Sequence, residues 1–303
     1  MKKFFVTGAT GFIGSHCIES LSMRSDIEVH ALTIDDISQD SLNVQWHKAD
    51  LMDTKSMHDL LNDIQPTHLL HFAWYAAPGK YWTSIENLAM VQASLALLKT
   101  FAEVGGKRCV MAGSCAEYDW HYGYCSERIT PTVPGSLYGT CKSAMQKILE
   151  SFSLQTGVSS AWGRIFYLYG PREHPSRLVP SVICSLLKDK PAKCSHGEQI
   201  RDFLYVKDVA DAFIALLESD VRGSVNICSG IPIRLSEIIM NIAEVFDKQD
   251  FVQLGAIPVS PDEPGLIVGN NGRLFKEVGW KPKYMMEQGI SETITWWKKH
   301  LDV

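Results

Sequence analysis

Several things are missing from this chain, and each absence removes a class of function. The eight cysteines (Cys17, Cys109, Cys115, Cys125, Cys141, Cys184, Cys194 and Cys228) form no CxxC pair, and no His/Cys cluster has zinc spacing. No metal is therefore expected. With no export signal ahead of the first strand-like run, the cysteines read as free thiols of a reducing cytoplasm. The apolar runs at 3–7, 67–72 and 209–217 are far too short to span a bilayer, so no membrane partner is expected. Excess basic charge is absent as well. A net charge of −5 with no basic run leaves no electrostatic footprint for nucleic acid. No internal repeat, low-complexity tract or flexible linker interrupts the sequence. What remains is 303 residues, 46% hydrophobic and 21% charged, enough for one large or two modest globular domains.

Glycine is placed with purpose at the start. A short apolar strand over 3–7 runs into Gly8, Gly11 and Gly14 at GxxGxxG spacing, and a helix is expected from about 12 to 23. Glycines there permit a tight turn and close backbone approach to a pyrophosphate resting on the helix N-terminus. Further strands are expected at 27–32, 44–48, 67–72 and 108–112. Helices are expected at 84–104 and 137–156. Strands alternating with helices to about 165 imply a right-handed parallel sheet covered on both faces.

The end of the second strand usually separates NAD from NADP. Thr33 leaves room for a 2′-phosphate and tilts the reading to NADP(H). Asp35 and Asp36 argue for NAD(H), and the choice stays open at this point. Asp50 and Leu51 follow the third strand where an adenine would lie, and a helix N-cap is the equal alternative for Asp50. Ala73, after the fourth strand, is small enough to let a cofactor pass. The aromatic loop 74–82 is either a ligand wall or a hydrophobic plug.

Ser114 stands at the end of the fifth strand, twenty-four positions before Tyr138, and Lys142 follows four later. One turn apart on a helix, Tyr138 and Lys142 share a face, and an ammonium there would lower a phenol's pKa from about 10. This is acid–base equipment for moving a hydride on and off a C–OH carbon. Later in the chain Arg172, Arg177, Arg201 and Arg273 lie in or beside expected loops. They are available for an anionic substrate, although any one arginine is more often a surface residue.

Together GATGFIG at 8–14, Ser114, the YxxxK of Tyr138 and Lys142, RDFLYVKD at 201–208 and GWKP at 279–282 resemble the extended short-chain dehydrogenases/reductases that act on nucleotide sugars. The resemblance implies a Rossmann-like doubly wound parallel sheet with a smaller C-terminal α/β substrate domain. The first would take 1–165 plus about 205–230, and the second 166–204 and 231–303. It implies cofactor contacts at Gly8, Thr10, Gly11, Phe12, Ile13, Gly14, Thr33, Asp50, Leu51, Ala73, Asn87, Tyr138 and Lys142. Ser114, Tyr138 and Lys142 would be catalytic. Substrate contacts would come from Trp74, Tyr75, Ser114, Tyr167, Arg177 and Arg201, the last on the diphosphate. The helices near 84–104 and 137–156 would pair with a second copy in a homodimer.

Members of that family that dehydrate at C4 and C6 carry an Asp-Glu pair after the Ser/Thr. Here Cys115 and Ala116 occupy those positions. The 3,5-epimerising reductases have a cysteine two places after the serine, where this chain has Ala116. The expected chemistry is therefore NAD(P)H-dependent reduction of a 4-keto-6-deoxy nucleotide sugar, or 4-epimerisation with retained NAD.

Overall fold

The computed structural model describes residues 1–36 and 43–301. In chain order the first half contains β1 (Lys2–Thr7), α1 (Phe12–Ser22), β2 (Ile27–Thr33), β3 (Val44–Lys48), α2 (Thr54–Ile64), β4 (His68–His71), α3 (Glu86–Glu103) and β5 (Arg108–Ser114). Next come β6 (Tyr124–Cys125), α4 (Leu137–Thr156), β7 (Ser159–Ile165), β8 (Tyr167–Tyr169) and α5 (Leu178–Leu187). The remainder comprises β9 (Ala192–Lys193), β10 (Ile200–Tyr205), α6 (Val206–Glu218), β11 (Gly223–Ile227), β12 (Pro232–Arg234), α7 (Leu235–Val245), β13 (Val252–Gln253), β14 (Leu266–Gly269) and α8 (Met286–His300).

Seven strands form one sheet in the order β11-β7-β5-β4-β1-β2-β3, and every neighbouring pair is parallel. Strands of such a sheet are covered on both faces and read as near-continuous apolar runs. The sequence obeys this: β4 is buried throughout, and β5 is buried up to Ser114. Alternation in β1 sends Phe4 and Val6 to the face covered by α1 and α6, with Cys17, Leu21 and Phe213. Phe5 goes to the opposite face, with Leu97, Phe101, Met145 and Leu149 from α3 and α4. Each fully buried phenylalanine of this kind contributes roughly 1.5–3 kcal/mol.

A second, smaller sheet runs β12-β10-β14-β6, with β8 also paired to β10. Its own core gathers Val182, Ile183, Leu186, Ile239, Ile242 and Ile294 from α5, α7 and α8. Tyr124 and Cys125 of the first half pair with Val268 and Gly269, so the small sheet does not begin at residue 166. β1, β4, β5 and β7 end side by side: Thr7 pairs with His71, His71 with Met111, and Ser114 with Ile165.

Candidate active site

The cofactor crevice is built from backbone. β1 ends at Thr7, and Gly8 turns the chain with φ +66, a left-handed conformation that glycine adopts without strain. A Cβ on Gly8 would stand 2.7 Å from the Ala73 nitrogen, and one on Gly14 would stand 2.1 Å from the Gly8 carbonyl oxygen. Both approaches exclude any side chain. Gly11 N–H donates to the Gly8 carbonyl at 3.0 Å and closes the turn. No side chain caps α1, whose N-cap is Gly11. The first-turn amides, Phe12 and Ile13 among them, thus keep free N–H groups at the positive end of the helix dipole. A pyrophosphate fits this place. Its position between β1 and β4 is the switch point where open parallel sheets take ligands.

Several expected cofactor contacts are engaged elsewhere. Asn87 is fully buried, with its amide donating to the carbonyls of Tyr81 (2.7 Å) and Ser84 (2.8 Å) and accepting from the Trp74 indole (2.9 Å). It ties down both ends of the aromatic loop, because a buried amide must have its partners. Thr33 is buried and its hydroxyl accepts from Asp35 N–H at 3.0 Å. Exposed Asp35 and Asp36 follow, and Lys48, opposite Thr33 on β3, is paired to Asp36 at 2.7 Å. This end of β2 is acidic, which disfavours a 2′-phosphate. Asp50 accepts from Met52 N–H in a turn, and the N-cap of α2 is Asp53. Leu51 is buried in the core.

The catalytic group is assembled by α4. Ser136 caps the helix by accepting from Gly139 N–H, and Tyr138 N–H donates to the Trp82 carbonyl at 3.1 Å. A Cβ on Gly139 would lie 2.3 Å from the Ala116 carbonyl oxygen, so the first turn of α4 presses directly on the turn after Ser114. One helical turn later Lys142 is buried, with its ammonium donating to the Ala112 carbonyl at 2.8 Å. The Trp74 ring lies flat beneath it, 3.6 Å to the centroid. Burial pushes Lys142 down to about 7, while Glu117 pulls the other way. The Trp74 face also favours the charged form.

Trp74 therefore serves the lysine, with its indole bound to Asn87, and Tyr75 packs beside it against the α3 side of the core. The expected depression of the phenol is not found. Burial holds Tyr138 above the ordinary tyrosine range, opposed by a polar contact with Ser114. Lys142 lies 5.9 Å from the Tyr138 ring and is bonded away from it, towards Ala112.

Ser114 is held by a network whose signature in the sequence is Ser-x-x-Glu, a capping box. Glu117 is fully buried and accepts from Ser114 N–H and the Trp162 indole, both at 2.8 Å. Its second oxygen takes Arg164 Nε at 2.8 Å, and Arg164 also donates to the Tyr118 hydroxyl. Tyr118 in turn donates to Asn226. Glu117 and Arg164 were absent from the sequence reading, and polar residues in a buried strand gave no other sign of them. Cys115 and Ala116 are buried and bring no acid or base to the site.

On the substrate side, Tyr81 meets the Tyr138 ring edge-on at 4.8 Å, and the Arg177 guanidinium stands 5.6 Å from the Tyr81 ring. Arg201 is buried beside Tyr167, 5.3 Å to the ring, and is paired with Glu263. Its charge reaches the thiol of Cys115, the residue that follows Ser114. Two other arginines are unavailable. Arg172 pairs with Glu19 at 2.6 Å, and Arg273 holds Glu277 and the carbonyls of Arg222 and Ser224. Among the described residues no His/Cys/Asp/Glu group could hold a metal, and no helix is long and apolar enough to cross a membrane.

A glycine-built crevice at the switch point, with a serine, a tyrosine and a buried lysine at its edge, is the equipment of a nicotinamide-dependent oxidoreductase. The chain belongs to the NAD dependent epimerase/dehydratase family, which it matches over residues 4–228. It is 28% identical over 301 residues to CDP-abequose synthase of Salmonella typhimurium, covering 95% of this chain and 96% of that protein. It is 25% identical over 329 residues to dTDP-glucose 4,6-dehydratase of Xanthomonas campestris pv. campestris, covering 98% and 93%. Among solved structures it resembles UDP-N-acetylglucosamine 4-epimerase of Methanobrevibacter ruminantium (TM-score 0.89, 25% identity, 99% of each chain). It also resembles UDP-glucose 4-epimerase of Thermus thermophilus in complex with NAD (TM-score 0.83, 26% identity, 98% and 99% covered). The tilt to NADP(H) gains no support from these relatives.

Proposed function

We propose that the protein reduces the 4-keto group of an NDP-6-deoxy-4-ketohexose. The observation that carries this reading is Tyr138 in polar contact with Ser114, with buried Cys115 and Ala116 where a dehydration acid and base would stand. Gly8 to Gly14 would hold the dinucleotide, with its pyrophosphate on the α1 amides. The acidic end of β2 supports NAD(H) over NADP(H). A bound reduced nicotinamide would supply the hydride. Tyr138 donates the proton that completes the new hydroxyl, and the Ser114 hydroxyl holds the same oxygen. Lys142 positions and polarises the site from beneath. Arg201 and Arg177 would grip the diphosphate, Arg201 by exchanging Glu263 for phosphate oxygens.

Two further assignments belong to this reading. The division into a dinucleotide unit (1–165 with 205–230) and a sugar-nucleotide unit is proposed with the exception of 124–125. A homodimer through the outer faces of α3 and α4 is supported by exposed Leu88, Ile148 and Leu154. A cytoplasmic location follows from the use of free thiols and nucleotide sugars. The similarity to two 4-epimerases favours a second reading, 4-epimerisation with retained NAD.

Tyr138→Phe tests the mechanism. We expect kcat to fall about 10²–10⁴-fold with cofactor affinity unchanged. Turnover near wild type would overturn the role of Tyr138.

A further inference from the structure

Two loops come together over Tyr138, and almost everything they present there is aromatic. Trp82, from the loop after β4, stands edge-on to Tyr138 (5.8 Å, 85°) and edge-on to Trp120 (6.0 Å, 84°). Trp120, from the loop after β5, donates its indole N–H to the Cys115 carbonyl at 2.8 Å, leaving only hydrocarbon to face outward. Tyr81 meets the Tyr138 ring from another side, and Cys115 and Ala116 are buried and offer no charged or strongly polar side chain. Glu117, the nearest carboxylate, is fully engaged by Ser114, Trp162 and Arg164. Arg177 is taken up by Tyr81, in polar contact with its hydroxyl and 5.6 Å from its ring, and Arg201 is paired with Glu263. Trp82 and Trp120 are both half-buried, Trp82 against the Tyr138 ring and Trp120 against the residue after Ser114.

We infer that Trp82 and Trp120 determine specificity by taking the hydroxyl-free part of the sugar beside the reacting carbon. The protein thereby selects a deoxygenated hexose over its fully hydroxylated parent. The inference rests on the reading of the site as a nucleotide-sugar oxidoreductase. The physical reason is asymmetric. A methyl group gains from contact with indole faces, whereas a hydroxyl pressed against those faces loses water and gains no hydrogen bond from them. One such hydroxyl costs about 5- to 100-fold in affinity or rate.

The test runs in the oxidative direction with NAD⁺ and pairs of stable substrates: CDP-, UDP- and dTDP-linked 6-deoxyhexoses against the parent hexoses. We expect wild-type kcat/KM to favour the deoxy member of a pair by about 5- to 100-fold. Trp82→Ala or Trp120→Ala should bring that ratio close to 1 by admitting water, and Trp82→Phe should preserve it. A wild-type ratio near 1, or a full preference retained in both alanine variants, would overturn the inference while leaving the oxidoreductase reading intact. No turnover of any pair would defeat that reading and the inference together.

Discussion

The cofactor crevice and the catalytic face meet at Ala73, yet they are specified in different ways. The crevice is made by what is absent: no Cβ at Gly8 or Gly14, and no side-chain cap on α1. The catalytic face is made by side chains from five segments, held by a buried network running from Ser114 through Glu117 and Arg164 to Asn226. The first kind of site is local in sequence and intolerant of added atoms. The second is long-range and intolerant of lost partners.

That contrast can be broken at either end. The largest effect should come from the crevice. In Gly14→Ala the new methyl would enter the Gly8 carbonyl, forcing turn and helix apart, and a shift of about 1 Å there costs on the order of 100-fold. Isothermal titration with NAD⁺ should show at least that loss, and unchanged affinity would contradict the cradle. Next, Glu117→Gln should destabilise the fold by about 3–5 kcal/mol, because Arg164 would be left buried without its counter-charge. Denaturant unfolding of this variant checks it, and a shift under about 1 kcal/mol would show that the network is not cooperative.

The smallest effect separates function from stability. Lys142 has a folded pKa of about 7 against an unfolded value of about 10.4. The unfolded chain therefore binds more protons between those values, and stability rises with pH across that window. The cost of burying it is absent above the unfolded pKa, grows as pH falls, and is complete below about 7. Lys142→Met should lose activity yet gain about 1–2 kcal/mol at pH 6, and the gain should fade towards pH 10. A difference between the two proteins that does not vary with pH would refute the buried, depressed lysine.

The same contrast explains what could be read from sequence. The helix expected at 137–156 is α4, Leu137–Thr156, and the one expected at 84–104 is Glu86–Glu103, because apolar periodicity and flanking turns are local signals. Gly8, Gly11 and Gly14 were legible for the same reason, as were Ser114, Tyr138 and Lys142 at the carboxyl edge of the sheet. The small sheet was not. Its strands run from two to six residues, and β6 pairs with β14 across more than a hundred positions. The partners of Asn87, Trp74, Arg172 and Arg273 could not be read from sequence, because those of a polar or aromatic side chain are set by its neighbours in space. Arg273 reaches Arg222 and Ser224 carbonyls about fifty residues away. Lys142 shared a face with Tyr138 as spacing required, but the Ala112 carbonyl and the Trp74 ring took its charge.

The central claim is that Tyr138 supplies a proton to a sugar carbonyl while a nicotinamide supplies the hydride. The most direct measurement is absorbance at the reduced-nicotinamide band, using protein stripped of bound cofactor, an NDP-4-keto-6-deoxyhexose and added NADH or NADPH. Oxidation of one cofactor per ketosugar reduced, faster with NADH, is the result expected from an acidic β2 edge and a protonated tyrosine. No oxidation, together with NAD released from the purified protein and interconversion of 4-hydroxy sugars, would contradict the reductase and establish the epimerase in its place.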